Sequence, residues 1–177
     1  MRNFDDLIRR HQADLYALHQ ALREAVKVRD QSPSRREAWH RAALSFRNYR
    51  SEVDDYLSKI KDADIDGWAE GREFVFSYFT VDPMYFWSGH TKVWLIGKIK
   101  PLNFDESEKT VLRNLITGRI RNGAGREFKH FCRLVPRIQN RNFSDDLTHL
   151  SNAKDSGVAG RAKFALRYLV TADADKQ

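Results

Sequence analysis

The sequence predicts an all-α protein in which a long antiparallel helical hairpin packs on a bundle of shorter helices. Two heptad-spaced apolar seams cover most of the first sixty residues, and each is long enough for a helix of about 40 Å. Glycine and proline are scarce, at nine and four of the 177 residues, which favours long regular elements over a β fold with many turns. Hydrophobic residues make up 41% of the chain, enough to bury a core.

The hairpin is predicted over residues 1–61. Its first seam has alternating steps of four and three residues and consists of Phe4, Ile8, His11, Leu15, Leu18, Leu22 and Ala25. A seam of the same kind follows at Trp39, Ala42, Phe46, Tyr49, Val53, Tyr56 and Ile60. Ser32 and Pro33 between them favour the start of a second helix, and a short turn makes two helices antiparallel neighbours. The aromatic second seam indicates that this helix also packs on the rest of the protein.

Shorter helices are predicted over residues 62–171, which we expect to share one core with the hairpin, and residues 172–177 are expected to form a frayed tail. The predicted helices run over 68–80, 91–99, 106–121, 126–139, a short segment starting at Ser144, and 157–171. The aromatic run 74–79 also has strand propensity. Pro136 is expected to kink or shorten the helix that contains it.

The composition limits the possible environments and partners. The net charge is +7 and the sequence pI is about 9.6, which favours nucleic acid, an anionic membrane or an acidic protein as partner. The single cysteine, Cys132, cannot form an internal disulfide. No apolar run approaches the roughly 18 residues that a membrane span needs, and the N-terminus lacks a signal-peptide core. These features predict a cytoplasmic protein without a membrane span.

The positive charge is concentrated between residues 113 and 141. This segment contains one acid, Glu127, and eight basic residues, which are Arg113, Arg119, Arg121, Arg126, Lys129, Arg133, Arg137 and Arg141. Its net charge therefore equals that of the whole chain. On one continuous helix, a basic stripe would lie opposite the apolar residues and would consist of Arg126, His130, Arg133, Arg137 and Arg141.

The segment is a candidate nucleic-acid or anion site, whose residues would be Arg119, Arg121, Arg126, Lys129, Arg133, Arg137 and Arg141. Arg119 and Arg121 flank the loop 123–125, where backbone N–H groups at the start of a helix would accept a phosphate. The alternative is an ordinary solvent-facing helix surface. Aromatic residues for base stacking are not interleaved with the stripe, which weighs against single-strand binding.

A candidate pocket lies in the segment 82–92. It gathers aromatic rings, a hydroxyl, an imidazole and an amine, and its possible lining residues are Tyr85, Trp87, Ser88, His90 and Lys92. The alternative is an aromatic plug in the core, with Ser88 capping the next helix.

Catalytic patterns are weak. No acidic residue that could orient His90 beside Ser88 is recognisable in the sequence. The six histidines do not have the spacing of metal ligands. His11 lies on the first apolar seam, where a satisfied core histidine is expected. Cys132 lies on an apolar helix face and is expected to pack rather than react. No catalytic residue, metal or cofactor is predicted.

One segment resembles a helical repeat. The run Asp155-Ser156-Gly157-Val158-Ala159-Gly160-Arg161-Ala162-Lys163-Phe164-Ala165-Leu166 resembles the second helix of a HEAT-type repeat, with Leu147 and Leu150 on the preceding helix. The resemblance covers residues 144–170 and implies stacked helix pairs with a concave face for partners. The segments 85–90 and 126–134 are similar to phrases in a bacterial protein family of unassigned function, which implies no activity.

The function predicted first is that of a non-enzymatic helical interaction or adaptor protein with a protein partner. The alternative is a nucleic-acid-binding protein that uses the basic residues of 113–141. The exposed seams of the hairpin also allow a homodimer in which two hairpins form a four-helix bundle.

Overall fold

The protein is all-α, as the sequence predicts. The computed structural model describes residues 2–174, and side chains are described for residues 2–169; no strand occurs in this part of the chain. The chain divides into two compact units, Met1–Tyr85 and Phe86–Gln177, each described separately below. The boundary predicted after residue 61 falls inside the first unit. Of the tail predicted over residues 172–177, residues 172–174 are instead helical, and residues 175–177 lie outside the described residues.

The first unit begins with the predicted hairpin. Its elements are α1 (Phe4–Val28), a 3₁₀ turn (Arg29–Gln31), α2 (Pro33–Asn48), α3 (Glu52–Asp62) and α4 (Ala69–Val81). The side chain of Ser32 caps α2 by accepting from the Arg35 N–H, and Pro33 takes the first helical position, as predicted. Helix α1 packs along α2 and also contacts α3 and α4.

The second helix of the hairpin is not continuous, which corrects the prediction. The backbone turns extended at Tyr49, and Ser51 starts α3 with a capping box that it shares with Asp54. The seam continues across this break but changes in burial. Val53, Tyr56 and Ile60 are buried, whereas α2 contains no buried residue.

The core of the first unit lies where the start of α1 meets α3 and α4. The Phe4 ring packs edge-on against Tyr56 and Phe74, with centroids 5.1 and 5.6 Å away, and Tyr56 stacks on Phe74 at 4.9 Å. The aromatic run 74–79 is helical and lies within α4, where Phe74, Val75 and Tyr78 are fully buried. Tertiary burial thus overrides its strand propensity.

The second unit contains six helices among the described residues. They are α5 (Ser88–Ile99), α6 (Glu106–Asn122), α7 (Phe128–Cys132), α8 (Val135–Ile138), α9 (Arg141–Ser151) and α10 (Ser156–Ala174). Helix α6 starts with the predicted capping box of Asp105 and Glu108, and it contacts α7 to α10. Helices α9 and α10 pack closely together. The stacked repeat that the HEAT resemblance implies stays a prediction.

Three helix boundaries in this unit differ from the prediction. The helix expected over 126–139 is divided into α7 and α8 by residues 133–134, and Pro136 lies in the first turn of α8, where a missing N–H costs nothing. Asn140 rather than Ser144 caps α9, since its side chain accepts from the Phe143 N–H at 2.9 Å. Helix α5 starts at Ser88, three residues earlier than expected.

Candidate functional site

The basic residues of 113–141 do not form one helical stripe, which corrects the sequence prediction. They are distributed over α6, the loop 123–127, α7, the break at residues 133–134, α8 and the first residue of α9. A stripe of five residues from Arg126 to Arg141 requires an unbroken helix, and residues 133–134 interrupt it. Each basic side chain therefore has to be considered in its own surroundings.

Arg119 is buried in an ion pair and does not reach the surface. Its guanidinium Nη2 lies 3.0 Å from Glu127 Oε1, and the two side chains are 8% and 5% exposed. This pair joins the last turns of α6 to the start of α7. The pairing also removes the segment's single acid from the surface.

Arg137 and Arg113 hold backbone within the second unit. Arg137 donates to the carbonyl oxygens of Lys100 and Leu102, and its guanidinium lies 5.0 Å from the centre of the Phe104 ring. Arg113 donates from Nε to the carbonyl oxygen of Ile138 at 2.6 Å. Arg113 thus joins α6 to the end of α8, and Arg137 joins α8 to the segment that follows α5. We therefore remove Arg137 from the candidate site.

Four basic side chains of the segment are exposed and contact neither a carboxylate nor a backbone carbonyl among the described residues. This cationic cluster consists of Arg121, Arg126, Lys129 and Arg133. Lys129 is exposed on α7, whose Phe128 and Phe131 are buried, while Arg126 lies two residues before this helix and Arg133 directly after it. Burial and the charges of Arg133 and Lys129 lower the pKa of the neighbouring His130.

Arg141 lies at the edge of the segment. Its side chain is 94% exposed, and Asp145 one turn later lies 4.0 Å away, a distance at which an exposed ion pair contributes little. Arg141 is therefore an exposed cation that no strong ion pair neutralises.

The glycine loop 123–125 has a packing role. Gly123 ends α6 with a φ of +114°, which L side chains rarely adopt. A Cβ at Gly125 would lie 2.3 Å from Glu127 Oε2, so a side chain there would displace the buried carboxylate. The following helix, α7, has only five residues. The loop geometry therefore follows from the Arg119–Glu127 pair, and it gives no support to the predicted phosphate cradle.

The five candidate pocket residues of 85–92 differ in their surroundings. Tyr85 belongs to the first unit, where it is buried and its hydroxyl lies 2.6 Å from that of Tyr78. Burial raises the pKa of Tyr85 to about 12. Ser88 and Lys92 are buried on one face of α5, whereas Trp87 and His90 are exposed. Ser88 does not cap α5, because the N-cap residue is Trp87.

An exposed aromatic pair precedes α5 in the second unit. Phe86 and Trp87 are 47% and 45% exposed, and their ring centroids lie 5.7 Å apart. The start of α5 packs on the loop before α7, since a Cβ at Gly89 would lie 3.2 Å from Glu127 Oε2. Sequence reasoning missed this proximity because about forty residues separate the aromatic pair from the cationic cluster.

The first unit contains a serine, a histidine and an aspartate in contact. His11 Nδ1 lies 2.7 Å from Ser51 Oγ and 4.0 Å from Asp54 Oδ2, and Asp54 accepts from the Ser51 N–H at 2.9 Å. In a catalytic triad, the acid and the hydroxyl contact opposite imidazole nitrogens. Here both lie on the Nδ1 side, so the arrangement is a helix cap held by a buried histidine. His11 is the satisfied core residue that the sequence predicts.

A second basic region, which the sequence analysis did not single out, lies on the hairpin. Residues 9–50 contain ten arginines and lysines against four acids, a net charge of +6. Many of these cations have local acidic partners, such as Lys27 with Glu24 at 2.7 Å and Arg41 with Glu37 at 2.8 Å. The hairpin is therefore basic overall, but its charge is more neutralised than that of the cationic cluster.

Cys132 is fully buried, and burial raises the pKa of its thiol to about 12, so it packs in the core as expected. Among the residues that the structure describes, no three histidine, cysteine or acidic side chains are placed to hold a metal ion. In the same residues, no helix is long and apolar enough to cross a membrane. Comparison of the chain with protein-family models, with curated proteins and with solved structures gives no match.

Proposed function

We propose that this protein binds nucleic acid through the cationic cluster Arg121, Arg126, Lys129 and Arg133. The observation that carries the proposal is the inward orientation of Glu127, the only acid of residues 113–141. Because Glu127 pairs with buried Arg119, the exposed side chains around α7 are cationic without local neutralisation. Such a surface attracts the phosphate backbone and releases its condensed counterions.

The acids that flank residues 113–141 do not pair with the cluster. Glu108 is the capping-box partner of Asp105, Asp145 lies 4.0 Å from Arg141, and Asp146 is exposed on α9. Glu106 pairs with Lys109 and Arg113 at the first turn of α6, whereas Arg121 lies in its last turn, so about 22 Å of helix separates them. Asp155 accepts from the Val158 N–H as the cap of α10. Among the described residues, no carboxylate therefore forms an ion pair with a cation of the cluster. The proposal assigns the protein to the cytoplasm, where such a ligand is abundant.

The test measures binding of a fluorescein-labelled oligonucleotide by anisotropy over a series of salt concentrations. We expect log Kd to rise linearly with log salt, with a slope of about 0.7 per phosphate contact for a single strand. The variant Arg126→Gln/Arg133→Gln is expected to reduce that slope by about 1.4 and to weaken binding at least tenfold at low salt.

The matched control is Lys154→Gln/Lys163→Gln, which removes two exposed cations of the same unit that lie outside residues 113–141. This control is expected to bind nearly as well as the unmodified protein. Equal losses in both double variants would show attraction to net charge alone and would contradict a site at α7, as would the absence of salt-dependent binding.

A second proposal is that the hairpin docks a partner protein. It is supported by the exposure of the hairpin around α2. This helix has no buried residue, and Leu44 and Val26 are about half exposed. The seam residues Trp39 and Phe46 are only partly covered by α1. A third helix would complete this burial, and the net charge of +6 over residues 9–50 favours an acidic one over a second copy of the same hairpin. The resemblance of residues 144–170 to a HEAT-type repeat agrees with an adaptor role.

This second proposal is tested by affinity capture with the unmodified protein and with Leu44→Glu, which adds an acid to the exposed face of α2. We expect the unmodified protein to capture a partner protein that Leu44→Glu does not capture. Light scattering over a range of protein concentrations tests the predicted homodimer. A stable dimer that survives Leu44→Glu, with no other partner captured, would contradict docking of an acidic helix.

A further inference from the structure

The exposed rings of Phe86 and Trp87 are unusual for a chain whose other aromatic side chains are mostly buried. Each ring leaves nearly half of its surface accessible, and the two rings contact each other at a centroid distance of 5.7 Å with an interplanar angle of 34°. Adjacent exposed aromatic residues lower the solubility of a protein surface and mark binding sites when they cluster. His90, one turn into α5, adds a third exposed ring to the same segment.

This aromatic pair lies beside the cationic cluster. Gly89, two residues after Trp87, packs against the carboxylate of Glu127, which directly follows Arg126 in the chain. The main chain at Trp87 and the main chain at Arg126 are therefore separated by a distance on the order of 15 Å. Helix α5 also contacts α7, which contains Lys129. Both groups belong to the second unit, so their proximity follows from packing within that unit.

The Glu127 side chain explains why the two groups come together. Its carboxylate pairs with Arg119 of α6 at 3.0 Å, while Gly89 and Gly125 allow the backbone on both sides to approach it closely. A Cβ at Gly89 would lie 3.2 Å from this carboxylate, so the side chain of Glu127 would have to shift by a few tenths of an ångström. One buried ion pair thus sets the positions of α5, α6 and α7.

We propose that the ligand of this surface is single-stranded nucleic acid, with bases stacked on Phe86 and Trp87 and phosphates held by Arg126 and Lys129. The inference rests on the nucleic-acid binding proposed above and names the class of ligand. Single strands are bound by a positive surface that follows the backbone, combined with aromatic rings that stack on the bases. In a duplex the base faces are already stacked, so exposed rings give no gain there.

The experiment compares a fluorescein-labelled twelve-nucleotide thymidine strand with a twelve-base-pair duplex, using the full-length protein at low salt. The variants are Trp87→Ala, Phe86→Ala and Trp87→Phe, with Tyr16→Ala as the control for loss of an equally exposed ring in the first unit. We expect Trp87→Ala to weaken single-strand binding at least tenfold and duplex binding less than twofold. Phe86→Ala should act in the same direction, while Trp87→Phe and Tyr16→Ala should retain most of the affinity.

A second measurement reports contact with the ring directly. Titration with unlabelled strand is expected to quench part of the tryptophan fluorescence, and Trp87→Phe should remove that part although Trp39, Trp68 and Trp94 are retained. Circular dichroism checks that each variant is folded. If Trp87→Ala does not fold, Phe86→Ala and the quenching measurement carry the test.

The outcomes separate this inference from the function on which it depends. Loss of binding in Arg126→Gln/Arg133→Gln, with Trp87→Ala and Phe86→Ala unchanged, would overturn the stacking surface and leave the cationic site standing. Equal affinity for duplex and single strand, with no quenching lost in Trp87→Phe, would overturn it as well. Failure of both nucleic acids to bind the unmodified protein would overturn both proposals.

Discussion

At the scale of single residues, His11 shows how burial and a neighbouring helix cap define a protonation state. Its side chain is almost fully buried, and its Nδ1 lies 2.7 Å from the Ser51 hydroxyl. Burial lowers the pKa of His11, and this effect outweighs the attraction of Asp54 and Asp14, which raise the pKa. The folded protein therefore favours the neutral imidazole over the protonated one.

The pH dependence of stability follows from this shift. In the unfolded chain a histidine titrates near pH 6.5, so below that value the unfolded state binds a proton that buried His11 resists. We expect the free energy of unfolding to decrease as the pH falls from about 7 through 6.5 towards the lower pKa of the folded protein. Urea titrations over this range should show a smaller decrease for His11→Gln than for the unmodified protein. A control variant, His40→Gln, changes an exposed ring and should leave the decrease intact.

The Arg119–Glu127 pair is the second residue-scale feature with a measurable consequence. Both side chains are buried, so removal of one charge leaves the other without compensation. Glu127→Gln is expected to lower the free energy of unfolding by about 3–5 kcal/mol, measured by denaturant titration. The control Glu106→Gln removes an exposed carboxylate that also pairs with an arginine, and it should cost much less. Equal effects of the two variants would show that the pair does not organise α5, α6 and α7.

At the scale of elements, capping residues rather than apolar spacing decide where helices begin and end. Residues 39–60 have a regular heptad pattern, yet the helix breaks because Ser51 and Asp54 satisfy free N–H groups at the start of α3. The heptad spacing alone does not distinguish two helices joined by a bend from one straight helix. The capping residues can be recognised in the sequence. A serine or asparagine, however, caps a helix at only some of the positions where it occurs: Asn140 caps α9, whereas Ser144 does not.

The capping box of α3 gives an element-scale prediction. Ser51→Ala removes the hydroxyl that accepts from the Val53 N–H at 3.2 Å and contacts His11. We expect a loss of about 1–2 kcal/mol in the free energy of unfolding, the upper range for an N-cap, measured by urea denaturation. Ser58→Ala on the exposed face of the same helix is the control and should change stability by less than about 0.5 kcal/mol. Similar values for the two variants would contradict a structural role for the cap.

At the scale of the whole molecule, stability is expected to be unevenly distributed. Helix α2 has no buried residue, whereas α4 and α6 each contain several fully buried side chains. Segments with few buried apolar contacts open at low free energy cost. Hydrogen exchange followed by mass spectrometry should therefore show faster exchange of α2 amides than of α4 and α6 amides. Protection of α2 equal to that of α6 would contradict this gradient, and added protection on binding a partner would locate docking on the hairpin.

Much of the helical content was predictable from the sequence, because apolar periodicity and capping signals act within one or two turns of chain. The start of α2 at Pro33, the capping box at Asp105 and the helical region 106–122 all follow from local residues. The concentration of positive charge in residues 113–141 is likewise a property of the sequence. The same local patterns left open whether a helix runs through residues 49–51 and 133–134.

The composition of the candidate site depended on long-range packing. Arg119 and Arg137 look equivalent to Arg126 in the sequence, but one pairs with buried Glu127 and the other binds the carbonyl oxygens of Lys100 and Leu102. The aromatic pair Phe86–Trp87 approaches the cations only because Gly89 packs on Glu127, about forty residues further along the chain. Charge and helicity are thus local properties that the amino-acid order carries directly. The exposure of each cation and the neighbours of each ring arise from contacts between distant segments, which periodicity and spacing do not encode.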